Sequence, residues 1–373
     1  MISRDAARRH LEALAAEPRP AGGRAERGAR AYCAKVLEEA GLEVSVEPFE
    51  FSAAPGRFAT PLFGAAAIAA LLAASAFGRA NEPWLALGTL VASALALAIA
   101  GAWLARHGVM RLGLLRQRSI NLVARRGEPA VWLVAHLDSK SQPVPMLLRA
   151  GGITLSVVIW LGALVLALTQ ALSGPDVVGA VSGPAAGWWI WIAGIGMIAG
   201  APIVASFVGA RSPGAVDNAS GVATVLLTVQ TLPEAPIGVL LASGEELGLA
   251  GARAWVRTRP PGIAINCDGV DDDGTLTAMY SGRPPRRLLE VFARATVRTG
   301  VYARRHRLLP GILVDGVALA DAGWQVITLS RGTVRTLRRI HTPADDLGAL
   351  TGAGVAEAAS VMRRMVHELG EAE

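Results

Sequence analysis

With 373 residues, 52% of them hydrophobic and only 18% charged, and a mean hydropathy of +0.40, the chain is too apolar for an ordinary soluble enzyme of this size; part of it is expected in a membrane. Its net charge of +6 and pI near 10.1 come from arginine, which beside apolar segments suits a membrane surface, and no nucleic-acid motif accompanies it. The two cysteines, Cys33 and Cys267, form neither a disulfide framework nor a metal-ligand spacing, so nothing demands an oxidising compartment.

Met1 to His10 is charged and lacks an apolar core, so no cleavable signal peptide is expected. Ala6, Leu11, Leu14 and Ala15, followed by Pro18 and Pro20, predict a short helix, and a second is predicted over 24–40, ending at Gly41. Residues 42–51 alternate Val44, Val46 and Phe49 as a strand that Pro48 assigns to a sheet edge. Two uncharged runs, 61–77 and 83–104, then predict a transmembrane hairpin, since about 20 apolar residues at ~1.5 Å each cross a bilayer.

Short strands follow at 119–124 and 130–135, the second running directly into His136, Leu137, Asp138 and Ser139. A second apolar pair, 151–172 and 185–208 with Trp188, Trp189 and Trp191 at its near end, predicts a second hairpin. After Asp217 come a helix, a strand at 237–242, the corner Gly244-Glu245-Glu246, a helix over 247–257, a strand at 263–266 and then Asp268. Strands at 275–280 and 326–329 and helices at 285–299 and 354–369 complete the pattern. The alternation predicts an α/β fold: a mixed, mostly parallel sheet with helices on both faces, whose functional loops gather at the carboxyl ends of strands. The domain reading is one soluble domain in three pieces, 1–58, 106–150 and 209–373, interrupted by transmembrane hairpins at 59–105 and 151–208.

The residues that can carry chemistry are His136, Asp138, Asp217, Glu245, Glu246, Asp268 and His341. Two histidines and several carboxylates on different strand-end loops make a mixed nitrogen and oxygen set suited to zinc or another late divalent metal. Five ligands suffice for two metals if Asp217, delivered by the Pro213-Gly214 turn to the start of a helix, bridges them. The remaining glutamate is then free to take a proton from a shared water as it attacks a carbonyl. Taken singly, each residue has a plainer reading: Asp217 as a helix cap, Glu245 and Glu246 as an acidic first turn, His341 with Thr342 and Pro343 as a turn. The ordered set outweighs these.

That set resembles the dinuclear zinc peptidases of the twenty-eighth metallopeptidase family, which includes bacterial leucyl-type aminopeptidases, vacuolar aminopeptidase Y and glutamate carboxypeptidase. The motifs are His-x-Asp-Ser at His136 to Ser139, Gly-x-x-Asp-Asn-x-Ser-Gly at Gly214 to Gly221 and Glu-Glu-x-Gly-Leu-x-Gly at Glu245 to Gly251. Asn266-Cys267-Asp268 and His-Thr-Pro-x-Asp at His341 to Asp345 follow, with Glu-Pro-Arg-Pro-Ala-Gly starting at Glu17. The resemblance implies a zinc-exopeptidase-like fold and two Zn2+ ions, one held by Asp217, Glu246 and His341, the other by His136, Asp217 and Asp268. It implies Glu245 as general base and Asp138 as the partner that orients His136. Departures at Val216, Gly269 and Ile340 bear on the pocket, not on the ligands.

The expected activity is that of a membrane-anchored aminopeptidase acting on peptides. A single-zinc glutaminyl cyclase of the same fold, or an inert membrane scaffold, is the alternative; scaffolds lose ligands, and this chain keeps every one. The expected partners are a peptide substrate and the lipid bilayer. The tethers 139–150 and 209–216 reach only about 3.3–3.6 Å per residue, which favours substrates near the membrane. Arg57, Arg106, Arg111, Arg116, Arg118, Arg149 and Arg211 flank the hairpins on one side, whereas the opposite loops hold only Arg79. The positive-inside rule then places the catalytic part in the cytoplasm, at a bacterial inner or plasma membrane.

Overall fold

The computed structural model describes residues 2–173, 175–309 and 311–370, with backbone alone for 175–186 and 349. Gly174, in the link predicted between the second apolar pair, lies outside them. The chain divides into one unit of Met1–Ala54, Val109–Ser141 and Gly209–Glu373 and another of Pro55–Gly108 and Gln142–Val208.

The first unit is built on a sheet of eight strands among the described residues: β1 Glu43–Ser52, β2 Arg116–Arg125, β3 Val131–His136, β4 Ile237–Ala242, β5 Ile263–Val270, β6 Thr275–Tyr280, β7 Ala303–Arg307 and β8 Gln325–Gly332. Their order is β1-β2-β4-β3-β5-β8-β6-β7. The β4-β3-β5-β8 centre and the β6/β7 pair are parallel; β1/β2, β2/β4 and β6/β8 are antiparallel. This is the mixed α/β sheet expected from the sequence, and β1 with its Pro48 lies at an edge as predicted.

Helices cover both faces because the central strands are apolar on both sides; β4 is buried throughout. One face packs Leu11, Leu37, Leu226 and Met362 against Leu133, Leu241 and Ile265. The other buries Trp255 and Trp324, with the Trp132 and Trp255 rings 4.7 Å apart edge to face. Gly238 allows this stacking, since a Cβ there would lie 2.4 Å from the Trp132 ring.

Several elements differ from expectation. β7 was not predicted, because Arg304, Arg305, His306 and Arg307 are exposed and carry no apolar alternation. β5 does not stop at Asn266: it continues through Asp268 to Val270, with a register irregularity between Cys267 and Val270. The helix expected over 247–257 is a short turn at Glu245–Leu247 followed by a helix at Ala250–Val256, because Gly248 and Leu249 have positive φ.

In the second unit the apolar runs form helices Ala54–Arg79, Pro83–Trp103, Met146–Leu172 and Pro175–Val204. The first begins well before Pro61, which sits inside it. Among the described residues, four helices are long and apolar enough to cross a membrane by length and composition. Their contacts use small residues: a Cβ at Gly78 would lie 2.1 Å from the Trp189 ring, and one at Gly196 2.2 Å from Leu71. Trp189 donates its indole N–H to Gln170 Oε1 at 2.8 Å, so this buried polar group is satisfied.

Candidate metal centre

The carboxyl ends of the parallel strands hold the polar cluster. His136 ends β3, Glu245 and Glu246 follow β4, and Asp268 lies in the irregular end of β5. Asp217 comes from the turn before helix Gly221–Gln230, and His341 follows the short helix Val334–Arg339 after β8. Among the described residues, two groups of donors are close enough to hold a metal: His136, Asp217 and Asp268, and Asp217, Glu246 and His341. Asp217 belongs to both. Its Oδ1 lies 3.3 Å from His136 Nε2 and its Oδ2 3.0 Å from His341 Nε2. Asp268 Oδ1 is 3.7 Å from His136 Nε2, and Glu246 Oε1 is 3.4 Å from His341 Nε2.

The donors are held by groups that the motifs do not explain. His136 Nδ1 lies 3.0 Å from the backbone carbonyl of Asp138, which fixes the tautomer whose Nε2 is a free donor. The Asp138 carboxylate, 3.7 Å from that nitrogen, instead accepts the backbone N–H groups of Glu245 and Glu246 at 3.1 and 3.2 Å. Asp138, the residue expected to orient His136, thus meets its Nδ1 at hydrogen-bond distance through the backbone carbonyl. Asp345 accepts from Val216 and Asp217 N–H at 2.7 and 3.1 Å. Asn218 donates to the Cys267 carbonyl at 2.9 Å and accepts Gly269 N–H at 3.1 Å, tying the Asp217 turn to the Asp268 strand. Arg19, fully buried, donates to the carbonyls of Leu137, Pro213 and Gly214 at 2.8, 2.6 and 3.1 Å, and so joins the His136 and Asp217 loops.

A divalent metal fits this set. His136 Nε2 and Glu246 Oε1 are buried and make no hydrogen bond among the described residues, although burial without a partner costs a polar group free energy. Four carboxylates, those of Asp217, Glu245, Glu246 and Asp268, share the cluster with two imidazoles and one ammonium, that of Lys140, so a bound cation would balance their charge.

Residues 201–366 match peptidase family M28. The span contains Asp217, Glu245, Glu246, Asp268 and His341 and begins after His136. No curated protein matches the sequence. Among solved structures, BSAP, a zinc aminopeptidase from Bacillus subtilis, is similar with a TM-score of 0.57 at 15% identity, over 99% of this chain and 95% of that one. The aminopeptidase from Aneurinibacillus sp. strain AM-1 gives 0.56 at 13%, over 98% and 94%. The Fimbriiglobus ruber glutaminyl cyclase gives 0.54 at 14%, over 98% and 95%. At these identities the likeness is one of fold. The M28 resemblance read from the motifs and the zinc-aminopeptidase-like α/β architecture are both found.

Within this centre the electrostatics separate the two glutamates. Burial works against the charge of Glu246, but Lys140 and His341 outweigh it and hold its carboxyl at about 2. Burial raises Glu245 well above the usual carboxylate range; His136 opposes this, while Glu246 and Asp268 reinforce it. Asp217 is half-buried; burial opposes its charge, yet the two imidazoles beside it hold its carboxyl well below that range. Sequence reasoning missed Lys140 as part of the site. It directly follows the His-x-Asp-Ser motif, and a charged side chain one residue beyond a ligand loop was the only available signal. Arg19, Asn218 and Asp345 stood inside quoted motifs without a role.

Proposed function

We propose that the chain is a membrane-anchored zinc aminopeptidase that removes N-terminal residues from peptides, with two zinc ions bridged by Asp217. The observation that carries this reading is the sharing of Asp217 by two three-residue donor groups, with Glu245 beside them. One ion would be held by Asp217, Glu246 and His341, the other by His136, Asp217 and Asp268. When bound, zinc supplies polarisation of the scissile carbonyl and acidifies the attacking water. Glu245 Oε2 lies 3.9 Å from His136 Nε2, and its raised proton affinity suits a base that takes a proton from that water and returns it to the departing amine. Asp138 holds the backbone of the glutamate pair, so one carboxylate faces the donors while the other is free for proton transfer.

We read the four apolar helices as two transmembrane hairpins, 59–105 and 151–208, inserted into a peptidase domain made of 1–58, 106–150 and 209–373. The arginine distribution puts that domain on the cytoplasmic side of a bacterial inner or plasma membrane. The test is elemental analysis of the purified chain combined with a panel of aminoacyl anilides. Hydrolysis that is lost on chelation and restored by zinc supports the reading; a zinc-loaded chain that cleaves none of the panel sinks it.

A second reading is favoured by the similarity to the Fimbriiglobus ruber enzyme: cyclisation of N-terminal glutamine. Ammonia release from glutaminyl peptides without peptide-bond cleavage would select it.

A further inference from the structure

The Lys140 side chain, 18% exposed, places its Nζ 2.5 Å from Glu246 Oε2. The other oxygen of the same carboxylate, Oε1, is 3.4 Å from His341 Nε2 and makes no hydrogen bond among the described residues. Glu246 is therefore divided: one oxygen is engaged by an ammonium, and one faces the remaining donors of its group. In the His136, Asp217 and Asp268 group no ligand oxygen is engaged by an ammonium in this way: among the described residues Asp217 and Asp268 form ion pairs only with histidines, and Lys140 acts on the shared Asp217 by charge alone. The loop that carries Lys140 is also fixed. Ser139 donates its N–H to the Arg19 carbonyl and its hydroxyl to the Ser212 carbonyl, both at 2.9 Å, which anchors the backbone next to Lys140.

We propose that Lys140 makes the two metal sites unequal, so that the Asp217, Glu246 and His341 site is the weaker and exchangeable one. This rests on the two-ion reading given above. The physical reasons are two. A fixed positive charge beside a ligand repels a divalent cation and cancels the ligand charge that would attract it. The ammonium also occupies one Glu246 oxygen, so two-oxygen ligation of an ion by Glu246 requires breaking a charge-assisted hydrogen bond. No oxygen of Asp217 or Asp268 is paired with an ammonium, so the charge of Lys140 weighs less on the ion beside His136.

Equilibrium dialysis of the full chain in detergent, stripped and titrated with zinc, is the test. Wild type should show two classes of site, and His341→Ala should delete the weaker. Lys140→Met should tighten the weaker class about ten- to a hundred-fold while shifting the tighter one much less. Lys140→Arg, which keeps the charge, should keep the inequality, and the tighter class reports in each variant that the fold is intact. Unchanged affinities in Lys140→Met, or a shift confined to the tighter class, overturn the inference and leave the two-ion reading standing. A single zinc at saturation in both wild type and Lys140→Met overturns the two-ion reading and the inference together. One zinc in wild type and two in Lys140→Met supports it in its strongest form.

Discussion

The Asp138 carboxylate accepts the backbone N–H of Glu245 at 3.1 Å, with its second oxygen turned to the next N–H along the chain. A carboxylate can accept two N–H groups at once; an amide of the same shape presents one oxygen and sets its NH2 against the other. Asp138→Asn should therefore lower kcat about ten- to a hundred-fold while zinc content stays close to wild type, because His136 is oriented by the residue 138 carbonyl and not by its side chain. Loss of one zinc with little direct effect on the remaining activity would instead assign the carboxylate to His136.

The glutamate pair separates by the same logic. Glu245→Gln should retain metal and lose activity by about a hundred-fold or more, since proton transfer is the step proposed for it. Glu246→Gln should lose metal from the His341 side. Metal analysis beside turnover decides it, and the opposite pattern reverses the two roles.

The Arg19 guanidinium joins two ligand loops through their carbonyl groups, and its backbone N–H donates to Ser139 Oγ at 2.9 Å. Arg19→Met leaves the carbonyls of Leu137, Pro213 and Gly214 buried without their donor, and should lower stability by about 3 kcal/mol or more. Both metal affinities should weaken, because residue 137 adjoins His136 and the 213–214 turn delivers Asp217. A lowered Tm with metal affinity untouched would show that the loops hold their positions without it.

Glu26 is a buried carboxylic acid outside the metal ligands; it accepts Gly22 N–H at 2.7 Å and lies 3.7 Å from Arg30. Burial first, then the nearby Asp138 charge, raise its carboxyl from 4.5 to about 7. The folded state thus prefers the neutral form, and its stabilising effect is complete below about 4.5 and lost as pH rises through about 7. Glu26→Gln, neutral at every pH, should match wild type near pH 4 and exceed it increasingly up to pH 7–8, by a gain on the order of 3 kcal/mol. Tm measured across this range checks the sign; a difference independent of pH would contradict it.

The parts of the fold legible in the sequence were those with a period. β3, β4 and β6 and the long amphipathic helices announce themselves by apolar spacing, and the four apolar runs by the near absence of charge. β7 did not, because an edge strand with both faces in solvent needs no apolar alternation and is kept polar against edge-to-edge pairing. The extension of β5 through Asp268 depends on Gly269 at a φ of +69°, which pattern reading takes for a strand end. At the site, His136, Asp217, Glu246, Asp268 and His341 were legible as an ordered set of donor types. The supports were not. Arg19, Asn218 and Asp345 act on backbone groups of other loops, and Lys140 acts on a side chain from another strand end, so their partners exist only once the sheet has formed.

The donors are spread along the chain in the order His136, Asp217, Glu246, Asp268, His341, and this has a consequence for biogenesis. During synthesis the helix Met146–Leu172 must emerge between the first donor and all the others, and the second donor group stays open until His341 has left the ribosome. On the membrane-anchored reading proposed above, a nascent chain still being inserted presents single imidazoles and carboxylates to metal but no finished bridged pair. On that reading, translation order alone keeps the bridged centre unfinished until after the four apolar helices have been made.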